Sequence, residues 1–310
     1  MFFEVGDKPD LAWSDAVWWA LVTLTTVGYG DVAPASFEAR FIVGVPLMVF
    51  GIGLLGYVLS LAAAALVEAK TREITGMGHM HLDKHVIVVN MPNLGKLERL
   101  LVEILHPSAL GPQTDVVLVD EDLQQLPTEL IKRNVQFVRG NPARDETLNR
   151  AGIETASYAI VLSKHPGDPH SDDQAIAVAL AIEAGNPNVR TVVECVDPAM
   201  EELLRKTGCD SIVCTSRFDA HFVGAELAHP GAQEVVDHLL STVAGGQQLF
   251  ITRVTDDGKT FADLARACTS RGHVAIGAKR KGALQLNPPA DAALGPGDEV
   301  VSIGPAPLGL

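Results

Sequence analysis

The sequence predicts a membrane-embedded segment fused to an α/β domain with a doubly wound parallel sheet, followed by a small α+β lobe. Three observations predict it. A long uncharged apolar run lies near the N-terminus, short β-rich runs then alternate with amphipathic helices, and the last stretch holds more strand patterns than helical ones. The bulk figures agree: 310 residues are 47% hydrophobic and only 5% aromatic, and the mean hydropathy of +0.19 is high for a wholly water-soluble protein. The length allows two or three domains. A formal net charge of −14 argues against nucleic acid as a partner and for cations.

Phe41 to Val67, "FIVGVPLMVFGIGLLGYVLSLAAAALV", is 27 residues without a charge. As a helix it is roughly 40 Å long, enough to cross a bilayer with some tilt. Lys70 and Arg72 follow it, whereas Glu4, Asp7, Asp10, Asp15, Asp31 and Glu38 precede it. Basic residues collect on the cytoplasmic side, so the C-terminal bulk is expected in the cytoplasm. "WSDAVWWALVTLTT" (Trp13 to Thr26) is apolar but too short to span. Ser14 and Asp15 can cap its start, its tryptophans suit the membrane interface, and it reads as a re-entrant helix. The start, "MFFEVGDKPD", is acidic and has no signal-peptide core.

Between these segments stands "TLTTVGYGDVAP" (Thr23 to Pro34), whose main asset is backbone. Irregular backbone at membrane depth needs protein or a water-filled cavity around it. An ion shedding its water there needs other oxygens, and main-chain carbonyls supply them without a charge that would trap it. Gly28 and Gly30 alternate with Val27 and Tyr29, and glycine reaches conformations closed to other residues. The Thr26 hydroxyl adds an inner ring of oxygens, Asp31 concentrates cations at the mouth, and the half-helix aims its negative end at the cavity. "TTVGYGD" between a short helix and a long span resembles the selectivity filter of the potassium channel family. The resemblance implies a filter of Thr26, Val27, Gly28, Tyr29, Gly30 and Asp31, K+ as permeant ion, and a homotetramer. Gly51, Gly53 and Gly56 lie within the span; Gly51 and Gly53 are the candidates for a gating hinge, with close helix packing as the alternative. Such channels carry an outer helix before the pore helix, and with 12 residues ahead of Trp13 that helix is expected to be absent from this chain.

After the linker "EITGMGHMHLDKH", strands are expected at Val86–Val89, Val116–Val119, Val135–Val138, Ala159–Leu162, Thr191–Cys195 and Ser211–Val213. Helical patterns fall at Leu94–Leu105, Leu123–Arg133, Asp145–Ala151, Asp172–Ala184 and Met200–Thr207. This is the βαβ rhythm of an open parallel sheet. A mainly helical stretch follows, then a small βαβββ module from Gln248. "HVIVVNMPNLG", "VVLVDED", "VQFVRGNPARDETLNRAGI", "YAIVLS", "DPAMEELLRKTGCDSIV", "GKTFADL" and "LGPGDEVVSIG" resemble the RCK domain, a Rossmann-like regulator of potassium conductance. The resulting plan is a pore domain (1–70), a linker (71–84), an RCK N-lobe (85–215), a helical crossover (216–246) and a C-lobe resembling TrkA-C (247–310). The resemblance implies an RCK gating ring under a pore in the inner (plasma) membrane, with a small molecule or cation as ligand.

The glycine fingerprint after the first strand is degenerate, with Asn90, Pro92 and Gly95 at its three positions. Asp120, 25 residues beyond Gly95, stands where a ribose-binding carboxylate belongs. Arg139 and Asn141 follow the third strand, so Asn90, Gly95, Asp120, Arg139 and Asn141 are the candidates for NAD or an adenine nucleotide. Calcium-gated relatives use acidic residues after the fourth and fifth strands; here Ser163 and Val196 replace two of them and Glu194 matches one. Asp168, Asp172 and Glu194 are the candidates for Ca2+ or another divalent cation, although "HPGDPHSDD" is not an EF-hand loop and Asp172 and Asp173 equally suit a helix N-terminus. A structural domain without ligand is the third reading. His79, His81 and His85 read as solvated linker. Cys195, Cys209, Cys214 and Cys268 form no CxxC and read as small buried hydrophobes. The function these features point to is a ligand-gated potassium channel and not an enzyme. The alternatives are a nucleotide-binding subunit of a separate potassium transporter, which needs no filter, and a membrane-tethered NAD(P)-dependent oxidoreductase, for which no catalytic set is visible.

Overall fold

A computed structural model of the protein describes residues 12–242 and 246–308. Glu4, Asp7 and Asp10, residues 243–245 of the expected crossover, and the last two residues lie outside the described residues. The chain divides into two compact units, Met1–Glu73 and Ile74–Leu310.

The first unit contains α1 (Trp13–Leu24), a π-helical turn (Ala39–Gly44) and the start of α2 (Val45–Ile74). Asp15 closes the first turn of α1 by accepting the Ala12 N–H at 3.1 Å; Ser14 lies inside the helix and is not its cap. The stretch Ala39–Ile74, 36 residues, is the one helix among the described residues long and apolar enough to cross a membrane. Helix α2 runs to Ile74, past the expected boundary at residue 70. Lys70–Glu73 and Glu68–Arg72 pairs one turn apart favour that extension, each by only about 0.2–0.5 kcal/mol.

The second unit alternates β1 (Val86–Val89), α3 (Leu94–Ile104), β2 (Val116–Asp120), α4 (Thr128–Lys132), β3 (Gln136–Arg139), α5 (Asp145–Arg150), β4 (Tyr158–Val161), α6 (Ser171–Gly185), β5 (Arg190–Cys195), α7 (Glu201–Arg205) and β6 (Ser211–Cys214). All six strands are parallel, in the order β3-β2-β1-β4-β5-β6. Strand β1, "VIVV", is buried at every position, as a sheet covered on both faces requires. Leu97, Leu101 and Leu130 of α3 and α4 cover one face; Leu148, Val178 and Ile182 of α5 and α6 cover the other. The strand order reverses between β1 and β4, so the crevice at their C-terminal ends is the switch point where such folds bind ligands.

Two helices differ from expectation. Helix α4 is confined to Thr128–Lys132 because Asp120 holds the Asp122 and Leu123 N–H groups in a turn and Pro127 supplies no donor. The stretch expected as Met200–Thr207 begins as a 3₁₀ turn, Pro198–Met200, and continues as α7. His85 is also a correction: it is fully buried, with Nε2 2.9 Å from the Ala151 carbonyl oxygen, because it immediately precedes a buried central strand.

The crossover is α8 (Thr215–Ala228) and α9 (Ala232–Leu240), separated at Gly231 with φ +93°. Val223 and Leu227 of α8 are 73% and 88% exposed. The C-lobe contains β7 (Gln248–Arg253), β8 (Lys259–Thr260), α10 (Phe261–Thr269), β9 (Val274–Arg280), β10 (Ala283–Leu286), β11 (Ala293–Leu294) and β12 (Glu299–Gly304). Strands β10-β9-β12-β7 form an antiparallel sheet and β8 pairs with β11. Phe261, Leu264, Cys268 and Val300 are buried in its core.

Glu103 at the end of α3 fastens the chain just beyond α9. Its carboxylate accepts from Ser241 Oγ at 2.7 Å, and from Thr242 N–H and Oγ1 at 2.6 Å each. Burial raises its pKa, but the hydrogen bonds from Thr242 and Ser241 outweigh that and hold it below the ordinary Glu value near 4.5. A depressed carboxylate stabilises the fold above its unfolded pKa, and that contribution is lost as pH falls through the lower folded value. Thermal unfolding should therefore show wild type more stable than Glu103→Gln at neutral pH, with the difference shrinking below the ordinary Glu range. A gap independent of pH would refute the ionised latch.

Candidate functional site

Two places carry the candidate residues, and each is built by its own unit. In the first, the backbone after α1 alternates in hand. Thr26, Gly28 and Gly30 have φ of +60°, +56° and +76°, while Val27 and Tyr29 between them do not have positive φ. Alternating hand lines up successive peptide groups, amides toward one side and carbonyls toward the other. Glycine at 28 and 30 answers to conformation, not space, since a Cβ at either would touch nothing within 4 Å. Thr26, a β-branched residue in the left-handed region, carries strain of about 1–3 kcal/mol that its surroundings must offset.

Those surroundings are visible. Val27 and Gly28 donate their N–H groups to the Val22 carbonyl at 2.9 and 3.1 Å, and Thr25 Oγ1 donates to the Leu21 carbonyl at 2.7 Å. The loop is thus pinned to the end of α1. Trp18 braces its far side: Nε1–H donates to Asp31 Oδ2 at 2.7 Å, and its ring stacks on Tyr29 with centroids 5.8 Å apart. Sequence reasoning missed Trp18, although its place one turn into a short helix rich in tryptophan was visible.

Gly51 and Gly53 separate on geometry. A Cβ on Gly51 would lie 2.8 Å from Leu24 Cα, so close approach of the pore helix requires this glycine. A Cβ on Gly53 or Gly56 would meet nothing within 4 Å. Packing accounts for Gly51, and Gly53 is left without a packing reason.

The second place is the sheet crevice. Asn90 replaces the first fingerprint glycine and takes a left-handed φ of +67°, which asparagine tolerates better than most residues. Its Nδ2 donates to the Leu162 carbonyl at 2.9 Å across the switch point, and its buried Oδ1 has no partner among the described residues. Asp120 Oδ2 accepts the Met91 N–H, and Oδ1 the Asp122 and Leu123 N–H groups, all at 2.9 Å. The carboxylate expected to meet a ribose therefore ties down the two loops beside it. Gly95 has ordinary room for a Cβ, 3.7 Å from Asn93 Oδ1. Asn141 Oδ1 accepts the Ala143 N–H at 2.9 Å. Arg139 ends β3, with its N–H on the Gly76 carbonyl at 2.9 Å.

Three ion pairs about two lysines, which the sequence did not disclose, join the strand ends. Lys96, in the first turn of α3, pairs with the buried Glu194 at the end of β5, whose other oxygen accepts the Ser163 N–H at 2.9 Å. Lys164 Nζ lies 2.6 Å from Glu121 and 2.8 Å from Asp122. Burial lowers the Lys164 pKa, but hydrogen bonds to Asp122 and Glu121 outweigh it and raise it. Lys164 thus faces two carboxylates, and Lys96 faces one.

Asp168, Asp172 and Glu194 are not brought together. Asp172 is fully buried; its oxygens accept the Val196 and Asp197 N–H groups at 2.9 and 2.8 Å. Asp168 Oδ1 accepts the His170 N–H at 3.0 Å in the preceding loop, and Glu194 serves Lys96. Among the described residues no group of three His, Cys, Asp or Glu is placed to hold a metal ion. Burial, then Asp172, pushes the Cys195 thiol beside it up to about 12, so this cysteine is an inert core residue.

The alternating loop before a long apolar helix and the doubly wound domain after it define a class, a membrane segment fused to a Rossmann-like domain. Residues 1–68 match the ion channel family, and residues 81–193 match the calcium-activated potassium channel slowpoke-like RCK domain. These matches fall on the membrane segment and on most of the doubly wound domain, and the apolar stretch Ala39–Ile74 marks a membrane protein. It is 29% identical over 205 residues to a putative potassium channel protein, YugO, of Bacillus subtilis, covering 66% of this chain and 60% of that one. It is 26% identical to the calcium-gated potassium channel TvoK of Thermoplasma volcanium, covering 92% of this chain and 80% of the relative. The human SLO3 gating ring shares the fold at 18% identity and a TM-score of 0.56, covering 72% of this chain and 44% of that chain. The GsuK channel does so at 18% identity and 0.50, covering 98% and 53%. The chain spans 60% of the length of its Bacillus relative and about half of these two structures.

Replacing Asp172 by alanine should strand the Val196 and Asp197 amides, at about 1–3 kcal/mol each. Differential scanning calorimetry of the full chain should show a lower unfolding temperature for the α/β unit, without any metal added. A loss of stability seen only against a metal-loaded wild type would instead return Asp172 to a metal site.

Proposed function

We propose that this chain is the pore-and-sensor subunit of a ligand-gated, potassium-selective channel. Four copies surround one ion path, Thr26 to Asp31 form the filter, and the RCK domains form a ring in the cytoplasm below the inner (plasma) membrane. The observation that carries the reading is the alternation of hand at Thr26, Gly28 and Gly30, a backbone that presents carbonyls in series to an ion. The exposed apolar face of α8 supports assembly. Basic Lys70 and Arg72 after the span support the cytoplasmic side for the RCK domain.

For the ligand, NAD or another adenine nucleotide is the better-supported reading. Lys96 stands in the first turn of α3 at the switch point, Asn90 offers a buried unpartnered acceptor, and Arg139 lies at the end of β3. Calcium is the second reading, on the name of the Thermoplasma relative; the carboxylates of Asp172 and Glu194 already serve amides and Lys96. Gly53 is the proposed hinge and Gly51 a packing glycine.

The test is potassium against sodium flux from liposomes holding the purified chain, with ADP, NAD+ or Ca2+ added to the RCK side. Selective potassium flux is expected, altered by one of these additions. It should be abolished in Gly30→Asp, since a side chain at φ +76° costs about 1–2 kcal/mol per subunit. Equal potassium and sodium flux, or selective flux that survives Gly30→Asp, would overturn the filter assignment.

A further inference from the structure

Gly76, two residues beyond the end of α2, has a doubly bound carbonyl. The Arg139 N–H donates to it at 2.9 Å and Arg150 Nη1 at 3.0 Å. The other arm of the same guanidinium, Nη2, donates to the Arg139 carbonyl at 2.5 Å. One side chain at the end of α5 therefore joins two main-chain carbonyls. One belongs to the segment that continues from α2, the other to the last residue of β3, beside the crevice.

The surroundings fix this arrangement. Gly76 has φ +70°, and a Cβ there would lie 2.8 Å from the Phe137 ring and closer still to the Arg139 nitrogen. A Cβ on Gly140 would fall 2.6 Å from Thr147 Oγ1 and 3.0 Å from Arg150 Nη2, so Gly140 also leaves room for the guanidinium. The same segment is tied twice more: Leu126 N–H donates to the Ile74 carbonyl at 3.0 Å, and Met80 N–H to the Arg150 carbonyl at 2.8 Å. Arg150 Nε is buried with no partner among the described residues, so the side chain is held through its two terminal nitrogens. A planar fork of this kind holds two acceptors in fixed relation, which a lysine ammonium on a flexible stem does not.

We propose that Arg150 is a coupling residue: its guanidinium clamps Gly76 to the end of β3, so that a displacement of the Gly140–Asn141 lip is passed to the segment that continues into α2. The geometry stands alone; its consequence for gating rests on the channel reading. Asn141 follows the end of β3 and Gly76 is two residues from the end of α2; between them run the direct Arg139 N–H bond to Gly76 and the Arg150 side chain with its two hydrogen bonds.

The experiment compares the full chain with Arg150→Gln and Arg150→Lys by hydrogen–deuterium exchange and by liposome flux. In Arg150→Gln, the Leu126, Arg139 and Met80 amides should exchange at least tenfold faster while β1 and β5 keep their protection. Potassium flux without added ligand should change at least threefold, with the potassium-to-sodium ratio unaltered, and Arg150→Lys should recover part of both effects. Unchanged exchange at those amides would overturn the clamp, as would loosening that spreads through β1 and β5 in both variants. Local loosening with unchanged flux, in a wild type that conducts, would overturn the coupling. A wild type that carries no flux would sink the channel reading instead, and the exchange data alone would then decide whether Arg150 clamps Gly76.

Discussion

The main-chain carbonyl is the group around which this protein is organised. In the loop after α1, alternating hand keeps Thr26 to Gly30 out of helix and strand, the arrangement on which the proposed filter rests. In the α/β unit the opposite holds. Asn90 serves Leu162, His85 serves Ala151, and Arg150 serves both Gly76 and Arg139. An acceptor buried without a donor costs about 1–3 kcal/mol, and at these carbonyls a polar side chain from a distant part of the chain supplies the donor.

The same demand shapes the crevice. Asp120 and Asp172 sit where ligand-binding carboxylates are expected in such folds, yet both hold main-chain amides. Lys96–Glu194 and Lys164–Glu121 join segments that are far apart in sequence. A charged ligand entering this space exchanges one set of pairs for another. Only the difference between those sets is available to shift a conformational equilibrium.

The pore loop stores its constraint differently. Trp18 fixes Tyr29 by stacking and Asp31 by a hydrogen bond, the end of α1 holds Val27 and Gly28, and Gly51 lets Leu24 approach α2. The left-handed Thr26 is thus over-determined from both ends, the condition under which a strained backbone persists at a functional site.

Much of this was legible in the sequence. Uncharged length identified α2, short β-rich runs and period-3.6 patterns identified the six parallel strands and most of their helices, and alternating glycines identified the loop after α1. All of these are local regularities, written in residues that adjoin. What only the tertiary structure decided is how the polar groups are spent. Lys96 meets Glu194 across 98 residues, Arg150 meets Gly76 across 74, and Glu103 meets Ser241 across 138. His85 read as solvated linker and is buried, while Asp172 read as a ligand and is a brace. Strand order and register choose these partners, and because hydrogen bonds are short and directional, no spacing along the chain announces which distant carbonyl a given side chain will reach.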